Sequence, residues 1–192
     1  MSAGPSHRAL AGAPAVNSPV VGAADYSAID TMRDGRNVEI RALKPSDEAA
    51  LLSAISRTSD RSMYRRFFGV KRDFSPKEVA FFLNVDFVAH VALVAELDEA
   101  AGPIIVGGGR YVVAEPGTAE LAFAVTDAYQ GKGLGTSLLR HLTKLARARG
   151  IRDFAADVLP ENFAMLTLFE RSGLPLSRIS SRGVVHVILS LS

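Results

Sequence analysis

The sequence predicts a mixed α/β fold, in which helices flank a mixed, mostly antiparallel central sheet. Three observations support this prediction. Helical patterns dominate residues 45–84, strand patterns joined by short turns occupy 90–126, and strands then alternate with helices up to residue 192. Helices that follow and flank strands in this order are typical of a layered α/β domain.

Residues 1–36 differ in composition from the rest of the chain. They are rich in Ala, Gly, Ser and Pro, and they show neither strand alternation nor a helical stripe. Gly12, Pro14 and Pro19 interrupt the apolar stretches, which argues against a signal peptide. We therefore predict a flexible or loosely packed N-terminal arm over 1–36, followed by one folded domain over 37–192.

The first half of the domain is predicted to contain one strand and three helices. The residues VEIRAL alternate as a strand does. The third helix has the clearest start, because Ser75 is suited to the N-cap, Pro76 to the first turn and Glu78 to a capping box. In chain order, the predicted elements are a strand at 38–43, a helix that begins at 45–48, and helices at 60–69 and 75–84.

The second half is predicted to contain five strands and two helices. The pair Pro116-Gly117 marks a hairpin turn, and Gly150 ends the longer helix. The leucines that give this helix one apolar face, at spacings of three and four, are Leu134, Leu138, Leu142 and Leu145. The predicted strands are 90–97, 104–115, 118–126, 152–159 and 183–192, and the predicted helices are one that ends near 149 and one at 161–173.

Composition excludes several classes of function. The 192 residues include no cysteine, which excludes disulfides, thiol nucleophiles and thiolate metal sites. No apolar run is as long as a membrane span, and the net charge of +2 does not indicate nucleic acid. No two of His7, His90, His141 and His186 have metal-ligand spacing, so we expect no metal. We expect a cytoplasmic monomer or homodimer without nucleic-acid or membrane partners.

The stretch QGKGLGT, residues 130–136, places three alternating glycines where the long helix begins. The first N–H groups of a helix have no internal acceptors and lie at the positive end of its dipole. Glycines let the backbone approach a phosphate closely, and Lys132 is either a further positive charge or a solvated side chain. We therefore predict a phosphate or pyrophosphate site. Its spacing matches neither the Walker nor the Rossmann glycine pattern.

The pattern Gln-Gly-x-Gly-x-Gly resembles the pyrophosphate loop of the GNAT superfamily of acyl-CoA-dependent N-acyltransferases. The similarity covers about 38–190 and includes Asn162, Ala164 or its neighbours, and Gly173, which resemble the Asn-x-x-Ala…Gly pattern of that family. SMYRRFF (62–68), AELAFAVTDAYQGKGLGTSLL (119–139) and VLPENFAMLTLFERSG (158–173) resemble bacterial protein-lysine acetyltransferases of the Pat type. The resemblance implies acetyl-CoA as donor and a protein lysine as acceptor.

The resemblance also implies a set of cofactor-binding residues. In the family, the strand that precedes the loop separates from its neighbour and pairs with pantetheine, the loop holds pyrophosphate, and an asparagine contacts pantetheine. For Asn162 the alternative is a first-turn residue of a helix. The implied residues are Phe123, Ala124, Val125, Gln130, Gly131, Lys132, Gly133, Leu134, Gly135, Thr136 and Asn162.

Glu120 is the candidate general base. A lysine amine has a reference pKa near ~10.4, so an acceptor lysine must lose a proton before it attacks a thioester. Glu120 lies in the strand TAELAFAV, and its apolar neighbours predict a desolvated carboxylate, which suits a base. By resemblance, Pat-type enzymes place their catalytic glutamate in this Ala-Glu segment. The alternative is a glutamate that faces solvent on an edge strand.

Phe169 departs from the pattern of the family. Many GNAT enzymes carry a tyrosine at this position, seven residues after the asparagine, and it protonates the departing thiolate. Either no general acid is needed or another group serves, and Tyr64, Tyr111 and Tyr129 are the candidates. The basic cluster Arg65, Arg66, Lys71 and Arg72 either contacts an acidic partner or the cofactor's ribose phosphate, or forms a solvated helix face.

Two other functions remain open at the level of sequence. The acceptor is alternatively a small-molecule amine or a protein N-terminus, and only the Pat-like segments separate these from a protein lysine, because by resemblance the early helices and the last hairpin set the acceptor. The protein is alternatively a non-catalytic sensor that binds acyl-CoA. The donor's acyl group is acetyl or longer.

Overall fold

The computed structural model describes residues 22–69, 71 and 73–192. The strands are β1 (Ser27–Thr31), β2 (Asn37–Ala42), β3 (His90–Glu99), β4 (Gly102–Glu115), β5 (Thr118–Val125), β6 (Asp153–Val158), β7 (Leu176–Ser181) and β8 (Val184–Ser190). The helices are α1 (Glu48–Ser56), α2 (Asp60–Phe67), α3 (Pro76–Leu83), α4 (Leu134–Ala148) and α5 (Phe163–Glu170), with short 3-10 turns at Pro45–Asp47 and Asp127–Tyr129. Within this part of the chain, no helix is long and apolar enough to cross a membrane.

All eight strands form one sheet in the order β1-β2-β3-β4-β5-β6-β8-β7. Every neighbouring pair is antiparallel except β5 and β6, which are parallel. This arrangement confirms the predicted fold class. The parallel pair is the consequence of the α4 crossover, because two parallel neighbours need a long connection.

The two faces of the sheet carry different helices. The larger core lies under α4, whose residues Leu138 and Leu142 are fully buried, as the leucine spacing predicted. Alternate residues of β3 supply both faces, since Leu93 packs in this core while Ala92 packs in a smaller cluster that includes Ala54 of α1. The helices α1 and α4 therefore cover opposite faces.

The predicted capping signals are present in α3. The Ser75 hydroxyl accepts from the Glu78 amide, and the Glu78 carboxylate accepts from the Ser75 amide over 3.0 Å. Glu78 also pairs with Lys71. These bonds hold the pKa of Glu78 well below its usual range, at about 2, with the contact from Lys71 as the largest cause.

The segment predicted as an arm contains a strand in its described part. β1 pairs with β2 along its whole length, while 1–21 lie outside the described residues. Its side chains are not buried by apolar packing, because Ile29 is exposed and the inward-facing Asp30 bonds to His141 of α4 over 3.1 Å. Tyr26 adds a second bond to His141, over 2.5 Å. Because polar contacts rather than apolar packing hold β1, its sequence shows no alternation of apolar and polar residues, and the sequence did not predict a strand there.

The edge strand β7 was also not predicted. Its sequence LSRISS is almost wholly exposed, so it lacks the apolar positions by which a strand is recognised. A tight turn joins β7 to β8, and its two central residues, Arg182 and Gly183, have φ of 50° and 78°. Positive φ at both central positions is typical of hairpin turns that match the twist of the strands.

Candidate active site

The parallel strands β5 and β6 pair over three positions and then separate. The paired residues are Thr118–Asp153, Ala119–Phe154 and Glu120–Ala155. β5 continues to Val125, and over this stretch it keeps its ladder with β4 alone. The backbone groups of β5 that point towards β6 beyond Glu120 therefore lie on an open edge, where a ligand can pair with them.

The separation of β5 and β6 opens a cavity of about 930 Å³. Its walls come from β5, β6, α2, α5 and the start of α4. Small-molecule sites typically have volumes of about 300–1,000 Å³. Phe123, Ala124, Val125, Glu120 and Asn162, all singled out from the sequence, line this one cavity.

The glycine-rich loop lies at the end of the cavity where α4 begins. Gly131 and Gly133 have φ of 75° and 94°, which only glycine adopts readily. Gly135 serves packing instead, because a Cβ there would lie 3.2 Å from Leu168 of α5. The first amides of α4 have no helical acceptors and suit an anion. The cavity-lining residues of this region are Gln130, Gly131, Gly133, Leu134, Gly135 and Thr136.

The cation beside this loop is a residue that the sequence did not single out. The Lys132 side chain lies outside the cavity wall, with its Nζ 3.2 Å from Asp34 and 5.2 Å from the centre of the Tyr129 ring. Arg33, between β1 and β2, lines the cavity, and its Nη1 donates to the Gly131 carbonyl over 3.1 Å. Arg33 lies 98 positions before Gly131, so no local sequence pattern links it to the loop.

Side-chain hydrogen bonds join the loop to α2. Gln130 Nε2 donates to the Ser62 hydroxyl and to the Val125 carbonyl, each over 3.0 Å. Asp127 accepts from the hydroxyls of Ser59 and Ser62 over 2.7 and 2.9 Å. Burial opposes ionisation of Asp127, but these bonds outweigh it and lower its pKa. The loop and α2 are therefore held in a fixed relation by charge-assisted hydrogen bonds.

Asn162 combines the two roles considered for it. It is buried and lines the cavity, and it is also the N-cap of α5, where its Oδ1 accepts from the Met165 amide over 3.4 Å. The side-chain oxygen is thus engaged in starting the helix. The amide nitrogen of the side chain is the group that remains for a ligand.

Glu120 lies at the last paired position before β5 and β6 separate. Its side chain is exposed and lines the cavity, so the predicted desolvation is wrong. The reason is the alternation of the strand: Ala119 and Leu121 point into the core on the opposite face. Glu120 is therefore accessible to an acceptor that enters the cavity, and the protein alone does not bury it.

A comparison with known families decides the class of the protein. The family model described as Acetyltransferase (GNAT) family matches residues 59–174, which is more than half of the chain. The chain belongs to the GNAT acetyltransferase family. It is an acyltransferase, which confirms the predicted enzyme class.

Relatives of this GNAT protein include Pat proteins. An acetyltransferase of Pseudomonas aeruginosa is 33% identical over 141 residues, which are 73% of this chain and 76% of that protein. The acetyltransferase Pat of Mycolicibacterium smegmatis is 32% identical over 143 residues, which are 74% of this chain and only 42% of Pat. These similarities confirm the resemblance that the sequence motifs indicated.

Solved structures show the same fold. The GNAT domain of Streptomyces lividans PAT matches with a TM-score of 0.79 at 36% identity, over 87% of this chain and 98% of that domain. An acetyltransferase of Salmonella typhimurium, described with its cofactor acetyl-CoA, matches with a TM-score of 0.65 at 20% identity, over 81% of this chain and 94% of that one.

None of the three tyrosines considered as a GNAT general acid presents a free hydroxyl to the cavity. Phe169 is buried, and it has no proton to donate. Tyr111 is fully buried, and burial raises its pKa to about 12. Tyr64 is exposed outside the cavity wall, and the Tyr129 hydroxyl donates to Glu99 over 2.8 Å.

Positive charge dominates the wall of the GNAT cavity. Its lining includes two carboxylates, Glu120 and Asp157, of which Asp157 accepts from His186 over 2.6 Å. The lining arginines are Arg33, Arg65, Arg66, Arg110 and Arg171. Of the predicted basic cluster, Arg65 and Arg66 thus face the cavity and Lys71 pairs with Glu78, while Arg72 lies outside the described residues.

Proposed function

We propose that this GNAT acyltransferase transfers an acetyl group from acetyl-CoA to the side-chain amine of a protein lysine by direct attack, with Glu120 as general base. The observation that carries the proposal is the place of Glu120, at the point where β5 and β6 separate and in the same cavity as the glycine-rich loop. Similarity to the Pat proteins supports a lysine acceptor. The absence of cysteine is compatible with the predicted cytoplasmic location.

The residues present fit acetyl-CoA. Left-handed Gly131 and Gly133 turn backbone amides towards an anion, and Arg33 adds a charge at the same loop. Beyond Glu120, the edge of β5 that β6 leaves open runs past Phe123, Ala124 and Val125 and suits the amide groups of pantetheine, although the Val125 carbonyl already accepts from Gln130. Acetyl-CoA would supply the activated acyl group, and these residues would orient it and exclude water from one side.

The proposed general base removes a proton from the acceptor lysine, which is the main energetic barrier to attack. At pH 7 only roughly one lysine in 2,500 is neutral, given a reference pKa near ~10.4. A carboxylate that accepts the proton as the amine attacks typically contributes about 100- to 10,000-fold. Glu120 is accessible from the cavity, so it meets the acceptor without a conformational change of the strand.

The departing thiolate does not need a tyrosine. A thiol has a reference pKa near ~8.5, far below that of an alcohol, so it leaves as an anion at moderate cost. The amides at the open edge of β5 and the arginines of the cavity provide positive potential for that anion. This accounts for an enzyme with Phe169 where a general acid was expected.

The experiment is thiol release from acetyl-CoA, with wild type and Glu120→Gln in parallel. The acceptors are a lysine-containing folded protein and a panel of free amines. We expect turnover on the protein, lowered about 100- to 10,000-fold in the variant, with the acetyl-CoA-induced rise in melting temperature unchanged. Glu115→Gln, an exposed glutamate at the end of β4 outside the cavity wall, is the matched control.

Each result separates the hypotheses. Turnover only on a free amine or a peptide N-terminus would replace the lysine acceptor with that class. Turnover that survives in Glu120→Gln would remove Glu120 as the base. Binding of acetyl-CoA without turnover on any acceptor would support a sensor.

A further inference from the structure

Two arginines, Arg66 and Arg110, line the part of the cavity that also contains Glu120. In the ladder between β4 and β5, Arg110 is opposite Ala122 and Val112 is opposite Glu120. Because side chains two positions apart share a face, Arg110 and Glu120 project from the same face of adjacent strands. Arg66 reaches the same cavity from α2.

Among the residues that the structure describes, only neutral groups contact the Arg110 guanidinium. Its Nη1 donates to Nε2 of His90 over 3.1 Å and to the Phe82 carbonyl over 3.4 Å. The guanidinium lies 4.9 Å from the ring centre of Phe82 and 6.0 Å from that of Phe81. His90 is itself kept neutral, because burial and then the charge of Arg110 lower its pKa.

Arg66 has a similar environment. Its guanidinium lies 4.8 Å from the ring centre of Phe67, and that ring is 6.2 Å from the ring of Phe82. Burial lowers the pKa of Arg66, and burial together with the charge of Arg66 lowers that of Arg110 to about 10. Because arginine keeps its proton in proteins, both side chains are cations at pH 7, and the charge of Arg66 acts unfavourably on that of Arg110.

In the described part of the chain, no carboxylate forms an ion pair with Arg66 or Arg110. Arg41 shows the usual solution, since its buried guanidinium contacts Asp47 over 2.8 Å and Glu96 over 2.5 Å. Two partly buried cations without a counterion are costly unless a ligand compensates them. The cavity is where such a ligand would bind.

We propose that Arg66 and Arg110 bind a carboxylate of the acceptor, an acidic side chain close to the acceptor lysine, while Glu120 receives the amine. This rests on the proposed function and names the class of lysine that is preferred. The cavity wall then matches an acceptor that carries both charges. Glu120 faces the amine of the acceptor lysine, and the guanidinium groups of Arg66 and Arg110 face the acidic side chain. Arginine is suited to this role because its planar fork binds carboxylates with two parallel hydrogen bonds.

The position of Arg110 favours the acceptor over the phosphates of acetyl-CoA. Ala122, its partner on β5, is two residues from Glu120 and three from Val125, after which the glycine-rich loop follows. At about 3.3 Å per residue, Arg110 lies nearer to the base than to the end of the strand. The loop already has Arg33 as its own cation.

The test uses two peptides that each contain one lysine, with either Glu or Gln at the neighbouring positions. We expect the acidic peptide to have a kcat/KM at least about 10-fold higher in wild type, because charge-assisted hydrogen bonds are the stronger class. Arg66→Gln and Arg110→Gln should remove this preference, mainly through KM of the acidic peptide. Arg110→Lys should retain part of it.

Arg61→Gln is the matched control, because Arg61 is exposed on the same helix as Arg66 and lies outside the cavity wall. Melting temperatures establish whether each variant folds. If the Arg110 variants do not fold, Arg66→Gln alone tests the proposal. Equal kcat/KM for both peptides in wild type overturns the proposal. A raised KM for acetyl-CoA in the arginine variants, with the peptide preference intact, also overturns it and assigns the pair to the donor.

Failure of the proposed function gives a different result. If no peptide reacts but free amines do, the lysine-protein hypothesis fails while the arginine pair is still tested by free lysine against 1,5-diaminopentane. These two amines differ by one carboxylate. A preference for lysine that Arg66→Gln abolishes would assign the same carboxylate site to a small acceptor, and equal rates would overturn it.

Discussion

The two ends of β5 are built from different parts of the chain. At the Val125 end, the strand leads into a loop whose shape depends on left-handed glycines and whose binding groups are backbone amides. At the Glu120 end, the cavity is lined by side chains from α2, β4 and β6 that are distant in sequence. The backbone of the first site is therefore local, with Arg33 added from 98 positions away, whereas the second site is assembled by the fold.

Under the proposed function, the backbone-built site holds the donor and the site built from side chains holds the acceptor. Backbone amides at the start of a helix can hold a phosphate without any particular side chain, so a short glycine pattern is enough to predict such a site. The proposed acceptor groups Arg66, Arg110 and Glu120 would instead recognise their ligand by charge and position. We expect changes at Arg66 or Arg110 to alter the choice of acceptor, and a change at Glu120 to lower turnover.

The largest effect is expected at the loop, from Gly131→Ala compared with Gly150→Ala. These residues have φ of 75° and 73°, and at both positions an added Cβ would meet no atom within 4 Å. Both variants should therefore lose a similar free energy of unfolding, about 1–2 kcal/mol. Only Gly131→Ala should also raise the Kd of acetyl-CoA, by about 10-fold or more, because it reorients amides at the anion site.

Isothermal titration with acetyl-CoA and urea unfolding measure the two quantities for both variants. The pair is informative because Gly150 ends α4 and Gly131 lies just before it, so the helix is common to both. Equal Kd values for the two variants would show that the loop does not hold the donor.

The same contrast governs what the sequence could predict. The loop and α4 were predicted because each is specified by adjacent residues, glycines in one case and spaced leucines in the other. β1 and Arg33 were missed because polar contacts, such as that of Asp30 with His141, fix this segment and leave no periodicity. Arg110 had one signal that was not used, a single charge inside the apolar strand IIVGGGRYVV.

A smaller effect is expected at the acceptor end, from pH. His90 is held neutral by burial and by Arg110, against the opposing effect of Asp86, so its pKa in the folded protein is lowered. The unfolded chain then binds a proton more readily, and the stability that His90 contributes is complete above about pH 6.5 and falls as the pH drops below it. Each unit of lowering corresponds to about 1.4 kcal/mol.

His90→Gln isolates this contribution, because glutamine can still accept from Arg110 and does not titrate. Urea unfolding of both proteins between pH 5 and 7.5 should show wild type losing stability relative to the variant towards the acid end. Parallel curves would mean that neither burial nor the charge of Arg110 lowers the pKa of His90 in the folded protein. The carboxylates with lowered pKa, such as Glu78 at about 2, titrate below this window.

The smallest effect is expected from Tyr111→Phe, in the core on the face of β4 opposite to Arg110. Tyr111 is fully buried, and its hydroxyl has no hydrogen-bond partner among the described residues. Removing it should raise the free energy of unfolding by about 1 kcal/mol, since an unsatisfied buried group costs about 1–3 kcal/mol.

Tyr129→Phe is the matched control, for which the free energy of unfolding should change in the opposite direction. The Tyr129 hydroxyl donates to Glu99, so its loss should lower the free energy of unfolding by about 1 kcal/mol. Equal changes in the two variants would show that the Tyr111 hydroxyl is bonded after all.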